Sequence, residues 1–126
     1  MAQQHQSAAD RIKDDPYLAN LAVQHAGFCV EFLLKAMVMR HESQSTWPSR
    51  ADRPELYTHG LQRLAALAGI DLDPDDAMAP YWHVVLQWQR NQGYDPQPMP
   101  KPVLESFLEA AFSPEGVATW LRSKLT

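Results

Sequence analysis

The sequence predicts an all-α fold, a bundle of four to six helices in one domain. Three observations predict it. Apolar residues recur at steps of three and four along most of the chain. Two-period alternation and β-branched clusters are almost absent. One segment, from Leu18 to Met39, is apolar around more than half of a helix circumference and needs other helices to cover it. At 126 residues and 45% apolar, the chain is long and greasy enough for one real core.

The elements follow in order. A short helix is expected over Ser7 to Lys13, within an extension spanning residues 1–14. Asp15-Pro16 reads as a cap followed by proline in a first turn, and starts the long helix. Leu18, Ala22, Cys29, Phe32, Ala36 and Met39 form one stripe of it, and Val23, Ala26, Val30, Leu33 and Met37 the next. Only Asn20, Gln24, Glu31, Lys35 and Glu42 remain as a narrow polar strip. The helix should be central in the bundle, with apolar surface left over for a subunit contact. It ends near His41, where periodicity stops.

A loop over residues 43–57 carries Trp47, Pro48, Arg50, Arg53, Pro54 and Tyr57. Loops this long in compact domains often carry function. Thr58 is the expected N-cap of the next helix, with Leu61, Leu64, Ala65 and Ala68 inward. Gly69 ends it, and Ile70 folds back as in a Schellman motif. Asp71 to Asp76 form an acidic turn, and Pro80 opens a helix whose inner face is Tyr81, Trp82, Val85, Leu86 and Trp88. Gly93 to Pro102 holds four prolines and should be an extended strap. A helix from Val103 to Phe112 follows. Ser113-Pro114-Glu115 is expected to cap a last helix burying Val117, Trp120, Leu121 and Leu125.

Composition excludes several classes. A net charge of −4 argues against tight, non-specific nucleic-acid binding but leaves room for a small local site. The single cysteine, Cys29, rules out an internal disulfide and reads as a core residue. No uninterrupted apolar run reaches the ~18 residues of a membrane span, and Met1 to Asp10 lack the apolar core of a signal peptide. No membrane partner is expected, and a cytoplasmic location is the default. The histidines show no HxxxH or HExxH spacing, and the loop from Asp71 has Asp76 and Trp82 where a calcium loop needs glycine and glutamate. No metal and no cofactor are expected.

The stretch "AGFCVEFLLKA", then "THGLQRLAALAGI", then "YWHVVLQWQRNQGY" resembles the HEPN superfamily (higher eukaryote and prokaryote nucleotide-binding domains) over residues 15–94. Glu31 and Lys35 match its glutamate four residues before a lysine. His59, Gly60 and Leu61 match the opening of its third helix. The resemblance implies an up-and-down bundle that dimerises, with residues 95–126 adding the strap and the C-terminal helices. Many members are metal-independent ribonucleases of toxin–antitoxin or defence systems. Others bind a nucleotide, an RNA or a partner, such as a nucleotidyltransferase-like protein. The ribonucleases carry an arginine, four to six intervening residues and then a histidine in the last core helix. Arg90-Asn91 matches its start, but Asp95, Pro96 and Gln97 stand where the histidine belongs.

The resemblance therefore implies a catalytically degenerate binding protein. The expected ligand face is His83, Gln87, Arg90, Asn91 and Tyr94, on one side of a continuous helix. Arginine suits phosphate and tyrosine stacks on a base. Two other readings stand beside it. An active ribonuclease would use Arg53 and His59, which have five residues between them but precede the third helix, or Arg90 with His83. A purely structural interaction protein would need neither. Trp47 is either a contact residue or folds back on the bundle, His25 a core or interface residue, and Glu31–Lys35 a helix pair.

Overall fold

A computed structural model describes the chain from Met1 to Thr126, save Leu72, Pro96 and the side chain of Gln92. Among the described residues the fold is all-α, with no strand. The helices are α1 (Ala2–Ile12), α2 (Ala19–His41), α3 (Leu61–Leu67), α4 (Ala79–Val85), α5 (Lys101–Phe112) and α6 (Val117–Leu125). Single 3-10 turns lie at Pro16–Leu18, Pro54–Leu56 and Arg90–Tyr94.

Asp15 accepts a bond from the Tyr17 amide, and the proline-led turn it caps runs directly into α2. The other elements gather around α2, with α1, α3, α5, α6 and the Arg90–Tyr94 turn all against it. Ala22, Ala26, Cys29, Val30 and Leu34 are fully buried along it. Leu64 and Leu121 meet them from α3 and α6. Each such leucine contributes about 1.5–3 kcal/mol through burial. Gly27 makes room for an aromatic ring, since a Cβ there would lie 1.9 Å from the Trp88 indole. The bare backbone lets the indole rest on the helix and donate to the Val23 carbonyl at 3.1 Å.

Coverage of α2 within one chain is thorough. None of its large apolar side chains is exposed, and Phe28, Phe32, Met37 and Met39 are half-buried. One expectation is corrected here. An 18-residue stretch within residues 16–41 reaches a mean hydropathy of 1.4, so by length and composition this helix is apolar enough to cross a membrane. Counting an uninterrupted apolar run missed this, because the average tolerates Glu31 and Lys35. Here it is the core helix.

A second, smaller core joins Val38, Leu56 and Ala68, with Met37, Trp47, Leu67 and Ile70 packed on it. The 43–57 loop is therefore folded back onto the bundle. Gly69 at φ +72° and the Ile70 amide on the Ala65 carbonyl close α3 in the expected Schellman geometry.

Element boundaries differ in instructive places. α1 begins at Ala2 rather than Ser7, because Arg122 of α6 binds Gln3 and Gln6 there. Thr58 is not the cap of α3: its hydroxyl accepts from the Gly60 amide in a local turn, and the helix starts at Leu61. α5 starts at Lys101, with Pro102 in its first turn, so the strap is shorter than expected. Pro96, expected within that strap, lies outside the described residues. α6 starts at Val117 after an extended Gly116, not from a Ser113 cap. The largest correction is at α4. It stops at Val85, and the chain turns before a separate 3-10 turn at Arg90. No glycine or proline stands between Val85 and Arg90. The docking of Trp88 on α2 overrides helix propensity there.

Candidate functional site

Among the described residues the buried charged side chain is Glu31, 2% exposed in the middle of α2. Helical spacing explains its burial: it shares a stripe with Gly27, Leu34 and Val38, all buried. An isolated carboxylate there would be costly. Both oxygens are therefore engaged. Lys35, one turn on, donates from Nζ to Oε2 at 3.1 Å. His59 brings Nδ1 to 2.9 Å from Oε1 across 28 residues of sequence. A carboxylate only accepts, so the proton between them belongs to Nδ1, which fixes the tautomer and leaves Nε2 as the free ring nitrogen. The Lys35 and His59 side chains are 21% and 45% exposed, so the cluster opens to solvent on that side.

The 43–57 loop forms its wall. Lys35 Nζ lies 5.8 Å from the Trp47 ring centroid, and Trp47 meets Tyr57 edge-on. Arg50 lies over the other aromatic, 5.9 Å from the Tyr57 ring, whose hydroxyl donates to the Pro48 carbonyl. Trp47 thus folds back on the bundle and also touches the cluster. Arg63, in the first turn of α3, is exposed and in no ion pair among the described residues.

Arg53 and His59 are not brought together as a pair. Arg53 is held by Glu42 at 2.7 Å and by Glu55. Hydrogen bonds from these two carboxylates raise its already high pKa further. In turn the Arg53 hydrogen bond holds Glu55 below the usual carboxylate range. His59 belongs to Glu31 instead. The two candidates sit in separate ion-pair groups.

The expected ligand face is divided as well. Arg90, Asn91 and Tyr94 share one exposed 3-10 turn, Tyr94 being 84% exposed. Arg90 is in no ion pair among the described residues. The turn is tied to α2 through its backbone: Gln24 donates to the Arg90 carbonyl at 2.9 Å, and Asn20 to the Asp95 and Gln97 carbonyls. His83 stays behind on α4, within 3.3 Å of Gln87. It lines a cleft of about 490 Å³ between α4 and α5 with Trp88, Met99 and Phe107. The single helical face expected for these residues is absent because α4 ends at Val85.

Cys29 is a core residue, its thiol pushed up to about 11 mainly by burial. Helical spacing gives Glu31 and Lys35 as a helix pair, and does not give His59 as their partner. The signal was available in the buried neighbours of Glu31 at minus four, plus three and plus seven. No family model, curated protein or solved structure matches the chain.

Proposed function

We propose that this chain is a non-cleaving, HEPN-like bundle that binds a phosphate-bearing ligand, a nucleotide or a short single-stranded RNA, on the Lys35–His59 face. What supports the reading is one observation: Glu31, Lys35 and His59, the residues that carry the resemblance, meet at a single buried carboxylate. Glu31 neutralises part of the local charge and orients its two partners. His59 then presents Nε2, which donates to a phosphate oxygen when the imidazole carries both protons, and Arg50 adds an exposed cation over the Tyr57 ring beside Trp47. Cations next to aromatic rings suit phosphates and stacked bases. A protein of net charge −4 holds such a ligand weakly and salt-sensitively. The homodimer, the nucleotidyltransferase-like partner and the toxin–antitoxin or defence setting are proposed on the resemblance alone.

A second reading, ribonuclease activity, is favoured by one specific feature. A carboxylate on Nδ1 with Nε2 free is the arrangement of a general base. Against it, Arg53, the arginine expected to stabilise the charged phosphorane beside His59, is occupied by Glu42 and Glu55.

Fluorescence anisotropy with labelled RNA oligomers, and thermal shift with nucleotides, both at low salt, test these readings. His59→Ala and Lys35→Ala should each weaken binding about tenfold, the loss of ~1.4 kcal/mol of a charge-assisted contact. Arg90→Ala should change it less than about twofold. Absence of any binding overturns the proposal. RNA cleavage that disappears in His59→Ala replaces it with the second reading.

A further inference from the structure

α1 carries little apolar surface. Only Ala9 is fully buried in it, with Ala2 and Ile12 packed at its two ends. Polar contacts add to its hold on the bundle. Arg122 of α6 donates to Gln6 and Gln3, and reaches Cys29 Sγ at 3.7 Å. The other hold is a histidine pair. His5 Nδ1 lies 2.8 Å from His25 Nδ1 of α2, and both residues are half-buried. The His5 ring stacks on Phe32 at 5.6 Å with 11° between planes, and leans on Phe28 at 5.1 Å.

Two Nδ1 atoms at hydrogen-bond distance share one proton: one donates and the other accepts. When both imidazoles are protonated, two N–H groups and two positive charges face each other across that gap. We propose that the His5–His25 pair is a pH-operated latch, whose double protonation undocks α1 from α2 and uncovers Phe28 and Phe32.

The surroundings set where it opens. His5 is held below the ordinary histidine value, first by burial, then by the charge of His25 and by the N-terminal amine, with Glu31 pulling upward. From α6, Arg122 is the charged group that reaches α1, at Gln6, one residue beyond His5. A histidine with a lowered folded value binds fewer protons docked than released. The pair therefore favours docking above the unfolded value of about 6.5, and that contribution is lost as pH falls through the lowered folded value. Neutral pH keeps the latch closed.

Amide hydrogen exchange on the full chain at pH 8 and pH 5, corrected for intrinsic rates, reads the latch. Residues 2–12 should lose protection at least tenfold at pH 5, while α3 to α6 keep theirs. His5→Phe preserves ring packing on Phe28 and Phe32 and removes the titration, so its α1 should stay protected at both values. His25→Gln, neutral and able to bond, provides the same test from the other side. The His5 resonance of the unsubstituted protein should titrate below the ordinary histidine value. Equal α1 protection at both pH values overturns the latch. So does acid loss spread evenly over all helices, an acid response in His5→Phe and His25→Gln equal to that of the unsubstituted chain, or titration of His5 at the ordinary value.

Discussion

The Glu31 cluster and the Arg90–Tyr94 turn are opposite solutions to presenting polar groups from the same helix. At the cluster, side chains from α2 and from the α3 approach converge on a buried carboxylate, and their orientations are set by its two oxygens. At the turn, α2 holds backbone carbonyls through Gln24 and Asn20, and the side chains of Arg90, Asn91 and Tyr94 are left in water. The first arrangement is preorganised: the cost of aligning its donors is met during folding. The second would have to order an arginine and a tyrosine at the moment of binding, at about 0.5–1.5 kcal/mol for each flexible side chain. Exposure without a partner is thus a weaker sign of a site than burial with one.

The largest expected effect breaks the anchor of the turn and spares the cluster. Gly27→Ala drives a Cβ to 1.9 Å from the Trp88 indole, which is 6% exposed. Overpacking of this kind costs about 1–3 kcal/mol, and at so short a distance the upper end outweighs the ~1 kcal/mol gained in helix propensity. The melting temperature should fall by roughly 5–10 °C. Hydrogen exchange should rise over residues 86–95 more than over 58–65. An equal rise in both regions would mean that they are not independent.

Next in size is the carboxylate itself. Glu31→Ala leaves Lys35 and His59 without their acceptor, but both can reach water, which limits the loss to about 1–3 kcal/mol. Thermal melts should record it, and low-salt binding of nucleotide or RNA should vanish. If stability falls and binding persists, the cluster is structural and the comparison reverses.

Much of the fold was legible from periodicity. The stripes of α2, the Schellman end of α3 and the proline-led first turns all depend on residues within a few positions of one another, and sequence displays such local rules directly. What escaped depends on distant contacts. The end of α4 at Val85 has no local breaker, and only the seat for Trp88 on Gly27 explains it. The strap lost its last residues to α5 because Pro102 fits a first turn as well as an extended segment. The same holds for the candidate site. Arg90, Asn91 and Tyr94 were correctly placed outside, but the shared face with His83 required a continuous helix. Arg53 and His59 looked paired by spacing, and Glu42, Glu55 and Glu31, none within five residues of His59 except Glu55, decided otherwise. The meeting of His59 with Glu31 crosses 28 residues, a distance that no helical rule reaches.

Loosening the turn alone is a smaller perturbation. Gln24→Ala removes the amide that holds the Arg90 carbonyl at the surface. One exposed hydrogen bond is worth about 0.5–1.5 kcal/mol at most. The expected outcome is faster proteolysis near residues 90–97 with an almost unchanged melting temperature and unchanged ligand binding. Weaker binding in this variant would return the turn to the site and undo its contrast with the cluster.

The smallest effect concerns the loop that walls the cluster. Arg53 joins Glu42 and Glu55, and its hydrogen bond is the first cause that holds Glu55 below the usual carboxylate range. A carboxylate with a lowered folded value contributes stability above its unfolded value and loses it as pH falls through the folded one. In Arg53→Ala, the Glu55 carboxyl resonance should therefore titrate at a higher pH than in the unsubstituted chain, moving back toward the ordinary value. Both groups are near water, so the melting temperature at pH 7 should scarcely move. Ligand binding decides whether this arginine belongs to the cluster or only to the loop. If Arg53 only braces the loop against α2, binding at the Lys35–His59 face should fall slightly and keep its salt dependence. If Arg53 itself touches phosphate, the slope of log affinity against log salt should drop by about one. That result would make the arginine a ligand contact despite its two carboxylates, and the cluster would extend into the loop.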